Sequence, residues 1–123
     1  MKTLTFFLFL LTFSLQAQSD RLIEWIAETE YDFGDLEKDK PVEHAFIFKN
    51  TSDEPITIEN VRTTCGCTAP EWAFEPILPG ETGEIRIEYD AHKPRYFRKR
   101  ILVFFHEQKK SEKLYISGYV EEL

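Results

Sequence analysis

Two cysteines, one methionine, three histidines and five glycines are all this chain of 123 residues contains of those types. Two cysteines are too few for a disulfide-dense scaffold or a four-thiolate metal centre. The glycines form no phosphate-cradling loop, and no His-rich metalloprotease motif is present. Ser and His never fall in a Gly-x-Ser-x-Gly nucleophile elbow. Positive charge is also scarce. Fifteen Lys and Arg stand against 22 Asp and Glu, for a net charge of −7. Such a chain has no general attraction to nucleic acid or to anionic lipid. The carboxylates are spread over turns and outward strand positions, with no pairing that recommends acid–base catalysis. No catalytic residues are assigned, and no cofactor is expected.

The one long apolar run lies at the start. Lys2 gives a positive flank, and Leu4 to Leu15 carries Phe6, Phe7, Leu8, Phe9, Leu10 and Leu11. Leu15-Gln16-Ala17 ends on a small residue suited to cleavage before Gln18. These are the three parts of a secretory signal. The competing reading, a membrane anchor, fails on length, because about twelve apolar residues fall short of the roughly 20 a spanning helix needs. The expectation is a signal peptide at 1–17 and a secreted or periplasmic domain at 18–123. Lys2 is the only charge removed, so the remaining 106 residues carry −8. No second run approaches membrane length, so no membrane span is expected after cleavage.

Beyond residue 17 the hydrophobic period is two. In Thr82 to Tyr89, Ile85, Ile87 and Tyr89 share one face and Glu84, Arg86 and Glu88 the other. That alternation marks a half-buried strand. Val42 to Asn50 places Val42, His44, Phe46 and Phe48 together. Ile56, Ile58 and Asn60 alternate with Thr57, Glu59 and Val61. Phe97 to Phe105 opens charged and ends apolar, and Leu114, Ile116, Gly118 and Val120 form a last inward series. Turn residues separate these runs: Phe33-Gly34-Asp35, Asn50 to Pro55, Pro79 to Gly83, and Glu107 to Ser111. Asp20 to Glu30 reads equally as a helix or an edge strand. About seven short strands in one small domain predict an all-β, antiparallel immunoglobulin-like sandwich. Trp25 and the seven Phe outside the signal supply its core.

Several separated motifs carry a resemblance. Tyr31-Asp32-Phe33-Gly34-Asp35-Leu36 precedes Pro41-Val42-Glu43-His44-Ala45-Phe46-Ile47-Phe48-Lys49-Asn50-Thr51. Thr64-Cys65-Gly66-Cys67-Thr68, Glu71-Trp72 and Pro76-Ile77-Leu78-Pro79-Gly80-Glu81 follow. In this order they resemble the domain-of-unknown-function family 1573, over roughly Tyr31 to Val103. The resemblance implies an immunoglobulin-like sandwich akin to the major sperm protein and Hydin-type domains, which are mostly interaction modules. Pro94-Arg95-Tyr96 and Phe104-Phe105-His106 stand where that family usually has a Gly and an Asn.

Thr63-Thr64-Cys65-Gly66-Cys67-Thr68 holds both cysteines. In an extended segment, residues i and i+2 face the same way, so the two sulfurs can meet. Three states remain open: a short-ring disulfide, a reduced buried pair, and a redox or soft-metal pair. A copper or zinc site needs further ligands, for which His44, His92 and His106 are the candidates. His44 reads equally as a partly buried strand residue, and the other two as solvated turn residues. Trp72 is expected to cover the cysteine pair. Lys93, Arg95, Arg98, Lys99 and Arg100 crowd within eight residues of an acidic chain. They read as a docking patch for an acidic protein or polysaccharide, or as a charged edge strand that resists unwanted pairing. Alternation separates Lys99 from Arg98 and Arg100. The binding candidates are thus Cys65, Cys67, Trp72, Arg95, Arg98 and Arg100. The leading expectation is a non-enzymatic binding module for a protein or cell-envelope partner. The alternative is a thiol-redox or metal-handling protein using Cys65 and Cys67, with His44 in the metal version.

Overall fold

The computed structural model describes residues 21–122. The expected signal segment, 1–17, lies outside the described residues. The chain forms eight strands: β1 Ile23–Trp25, β2 Glu30–Glu37, β3 Val42–Asn50, β4 Ile58–Thr63, β5 Thr68–Trp72, β6 Thr82–Tyr89, β7 Tyr96–Phe105 and β8 Glu112–Glu121. Two four-stranded sheets result, one in the order β1-β3-β6-β5 and the other β2-β8-β7-β4. Each sheet is apolar on one face, and the two faces cover each other as a sandwich.

The core is the inward alternation made solid. Phe46, Phe48, Ile85, Ile87 and Tyr89 come from one sheet, and Phe97, Ile101, Val103, Leu114, Ile116 and Val120 from the other; all are buried. Burying one such side chain fully is worth about 1.5–3 kcal/mol. Edge-to-face contacts link the sheets, as between Phe48 and Phe105, whose centroids are 5.2 Å apart.

Three local features depart from a simple reading of the alternation. Within the described part of the Asp20–Glu30 segment, Ile23–Trp25 is strand rather than helix, with β1 on the edge of its sheet against the end of β3. The chain then changes sheets, so β2 runs parallel to β8 while the other named pairs are antiparallel. A register shift between Asp32 and Asp35 accompanies Gly34, whose φ of 72° suits a residue without Cβ. In β4 an extra residue enters between Ile58 and Asn60. The bulge reverses the face, so Val61 rather than Asn60 continues the buried series after Ile58.

Pro79-Gly80 forms the turn before β6. Glu81 N–H donates to Leu78 O at 2.9 Å, and Gly80 has φ 81°. A positive φ at the third position is what a type II turn requires.

Candidate functional site: a cationic hollow at the disulfide end

The chain leaves one sheet at Thr63 and enters the other at Thr68, so the Cys65-Gly66-Cys67 segment crosses the end of the sandwich. Thr68 N–H donates to Cys65 O at 3.2 Å, closing a turn. The Thr63 hydroxyl lies 3.3 Å from the carbonyl oxygens of both Cys65 and Thr68, donating across the turn. Asp90 N–H donates to Cys67 O at 3.0 Å, which pins the turn to the end of β6. Cys65 and Cys67 are joined as a disulfide, with Cα atoms 5.1 Å apart. Both residues are half-buried, and Cys67 packs against the core. Cys67 N–H also donates to Cys65 Sγ at 3.2 Å. The reduced-pair alternative is therefore not the state of this structure.

A hollow of about 230 Å³ opens beside the disulfide, lined by Cys65, Cys67, Tyr89, Asp90, His92, Lys93, Arg95 and Lys99. Its inner wall is rigid, because Tyr89 stacks on Phe97 with centroids 3.8 Å apart. Burial is the first cause that pushes the Tyr89 hydroxyl pKa up, followed by the neighbouring Asp90 carboxylate, with Arg95 pulling the other way. The segment after β6 is fixed locally. Ala91 sits at φ 53°, its carbonyl accepts from Asp39 N–H at 2.9 Å, and Asp90 Oδ1 accepts from His92 N–H at 3.0 Å. His92 Nδ1 lies 2.8 Å from Asp39 Oδ1. Arg95 is held by its carbonyl, which accepts from Val120 N–H at 3.0 Å.

The basic run is split by strand alternation. Lys99 shares the inward phase of Phe97 and Ile101 and reaches the hollow. Arg98 faces the other way, its guanidinium 4.0 Å from the centre of the Tyr115 ring and its Nε 3.0 Å from Glu30 Oε1. That hydrogen bond holds the Glu30 carboxyl below its ordinary pKa. Arg100 is exposed on the same outward phase as Arg98. The expected five-residue patch is therefore two surfaces. β7 is not simply an edge strand. Over Ile101–Val103 it pairs on both sides, whereas Tyr96–Arg100 pairs with β8 alone and Phe104–Phe105 with β4 alone. The charged half is a local edge, and Ile101–Val103 is sheet interior.

Trp72 does not cover the disulfide. It pairs with Ile85 at the far end of β5, four residues beyond Thr68, a distance of about 13 Å along a strand. It lines a separate hollow of about 580 Å³ with Glu71, Pro76, Ile77 and Gly83, and its buried Nε1 lacks a hydrogen-bond acceptor. Nor does His44 join the cysteines. It stacks on Tyr31 with centroids 3.7 Å apart and meets Phe46 edge-on, and burial lowers its pKa. Among the described residues, no three His, Cys, Asp or Glu side chains gather to hold a metal. No helix among them is long and apolar enough to cross a membrane.

The family model described as "Protein of unknown function (DUF1573)" matches residues 24–120. The chain belongs to that family. No curated protein matches the DUF1573 chain. Among solved structures, a protein of unknown function from Porphyromonas gingivalis W83 is 17% identical with a TM-score of 0.67. The match covers 80% of this chain and 46% of that one, so this chain spans about half its length. The ASH/PapD-like domain 7 of human CEP192 is 10% identical, with a TM-score of 0.70, covering 83% of this chain and 87% of that one. The VesB protease of Vibrio cholerae is 10% identical, with a TM-score of 0.62, covering 80% of this chain and 32% of that one. These likenesses are of fold. The DUF1573 assignment is to a family of unknown function.

Sequence reasoning missed that Lys93, Arg95 and Lys99 meet the cysteines. The signal available was Lys99 in the inward phase of a strand, on the same face as Phe97 and Ile101, where Lys is uncommon.

Proposed function

We propose that this DUF1573 protein is a non-enzymatic interaction module acting outside the cytoplasm as a single domain at 18–123. It docks an acidic segment of a protein or cell-envelope partner in the hollow at its disulfide end. One observation carries the reading. Lys93, Arg95 and Lys99 converge, beside the single carboxylate Asp90, on one concave site of a chain whose net charge is −7. Like-signed groups held around a low-dielectric wall focus field on an incoming opposite charge. The wall here is Tyr89, backed by the stacked ring of Phe97. The fold supports the same reading by analogy, since a sandwich exposes sheet edges and end loops for recognition. The secretion-type segment at 1–17 supports the compartment.

Titration calorimetry with a Glu- and Asp-rich peptide tests this, against a Gly- and Ser-rich peptide of equal length. The acidic peptide is expected to bind, with affinity falling as salt rises. Lys93→Gln with Lys99→Gln should weaken it about tenfold, while Arg100→Gln on the other surface leaves it within about twofold. Equal binding of both peptides, or equal effects of both changes, removes the docking reading.

A further inference from the structure

The disulfide lines the hollow, although Cys67 also packs against the core. It spans one residue, so the loop it closes is the shortest a Cys-x-Cys pair allows, and the chain-entropy gain from closing it is small. Cross-linking of the two sheets is not its role either. The β4-to-β5 crossing is already fixed by the Thr63, Thr68 and Asp90 hydrogen bonds. What the pair does have is access and charge. Both sulfur-bearing residues line the hollow together with Lys93, Arg95 and Lys99. Neighbouring cations favour a thiolate over a thiol, and so favour a thiolate as leaving group. The two sulfurs are also unequal. Cys65 Sγ accepts the Cys67 N–H at 3.2 Å, whereas Cys67 Sγ has only a 3.8 Å contact with the Thr68 hydroxyl. A hydrogen bond to sulfur favours its charged form.

We propose that the hollow is a thiol–disulfide exchange site, in which Cys65–Cys67 accepts two electrons from an acidic protein segment carrying a pair of thiols. A partner thiolate attacks Cys67 Sγ. The Cys65–Cys67 bond breaks, Cys65 leaves as a thiolate, and a mixed disulfide joins Cys67 to the partner. The partner's second thiolate then attacks its own sulfur in that bond. The partner closes its disulfide and Cys67 leaves as a thiolate. The two protons given up by the partner thiols end on Cys65 and Cys67. The partner dithiol is oxidised and the Cys65–Cys67 disulfide reduced. The choice of an acidic substrate rests on the docking reading above, while the exchange chemistry rests on the half-buried disulfide that lines the hollow.

The test mixes the disulfide form with a reduced Cys-x-x-Cys peptide flanked by Glu and Asp, or with the same peptide flanked by Gly and Ser. Acid quenching, alkylation and mass spectrometry read both partners. The expected result is one oxidised peptide per protein alkylated at Cys65 and Cys67, formed about tenfold faster for the acidic peptide. Lys93→Gln with Lys99→Gln should erase that preference without stopping exchange. Run in reverse against the oxidised peptide, whose disulfide the remaining thiolate can open, a Cys65→Ser variant that stays joined to the peptide through Cys67, beside a Cys67→Ser variant that does not, fits a mixed disulfide at Cys67; the opposite pattern overturns that assignment. Failure of both peptides to reduce the disulfide sinks the proposal. A cysteine-free acidic peptide separates the two readings. If it binds while exchange fails, only the redox inference falls. If exchange runs at equal rates and this peptide does not bind, the docking reading falls.

Discussion

Trp25 donates its indole N–H to Oε1 of Glu112 at 2.9 Å, tying β1 of one sheet to β8 of the other. The same oxygen accepts from Arg21, and the other accepts from Gln108 Nε2 at 3.1 Å. Glu112 is 7% exposed. A carboxylate this buried is tolerated because donors from several segments surround it.

Replacing it should expose that arrangement. Glu112→Leu strands the Trp25 and Gln108 donors in the interior and is expected to cost about 2–4 kcal/mol. Glu112→Gln keeps an acceptor and should cost about half as much. The urea midpoints of the two variants measure both numbers. A loss below about 0.5 kcal/mol for Glu112→Leu would mean that β1 is not anchored through this residue.

Gly83 faces Phe48 across the β3–β6 ladder. A Cβ there would overlap the Phe48 ring, meeting Cε1 at 2.8 Å. Phe48 is fully buried and cannot retreat without opening the core. Gly83→Ala should therefore destabilise by about 1–3 kcal/mol. Gly66→Ala meets nothing within 4 Å and should stay within about 0.5 kcal/mol. Thermal unfolding of the two variants checks the contrast, and similar melting points would contradict the close approach of Gly83 and Phe48.

The contrast between β3 and β4 explains how much the chain alone disclosed. β3 and β6 keep strict alternation because each pairs in an unbroken register, so Phe46, Phe48, Ile85 and Ile87 were legible as core. β4 carries a bulge, which period-two reasoning cannot locate, so Val61 fell on the wrong face. The sandwich itself was legible, and so was the separation of Lys99 from Arg98. The parallel β2–β8 pair was not, because changing sheets depends on the path of the chain after β1. Trp72 was misplaced for a related reason. Nearness in sequence to Cys67 says nothing once β5 carries the side chain along its length. The hollow needed residues 65 and 99 brought together, and only tertiary pairing does that.

His44 gives the fold a pH dependence. Burial holds its pKa below the ordinary 6.5, so the folded state resists protonation that the unfolded chain accepts. The unfolded state then binds more protons just below pH 6.5, and stability rises with pH across that window. The contribution is full above 6.5, declines as pH falls through it, and levels off below the folded pKa. His44→Phe keeps an aromatic ring against Tyr31 and Phe46 but cannot titrate. The difference between wild type and variant, followed by urea unfolding from pH 7.5 to 5, should therefore shift in the variant's favour on acidification. A difference that stays flat across the window would show that His44 is protonated equally in both states.

Asn50 is the other buried polar side chain whose loss should be felt at a distance. It is fully buried, and all of its capacity is used. Its amide donates to Glu54 O and Ile77 O, both at 2.8 Å, and its Oδ1 accepts from Ser52 N–H at 2.9 Å and Ser52 Oγ at 2.7 Å. Its backbone accepts from Gly80 N–H at 2.8 Å. One side chain thus joins the β3 end, the 51–55 turn and the segment before β6. Asn50→Ala removes four hydrogen bonds, leaving Ile77 O with the Ile56 N–H and Glu54 O with the Ser52 hydroxyl as their remaining donors, at an expected cost of about 1–3 kcal/mol. Ser52→Ala removes bonds nearer to solvent and should cost about 1 kcal/mol or less. If Asn50 organises this end of the sandwich, the Ile56, Ile77 and Gly80 amides should exchange faster with deuterium in Asn50→Ala, while the Ile101–Phe105 half of β7 remains protected relative to them. Uniform acceleration across both regions would mean that the variant loses global stability alone, and that the loop is held by the Ile56–Ile77 bridge without help from Asn50.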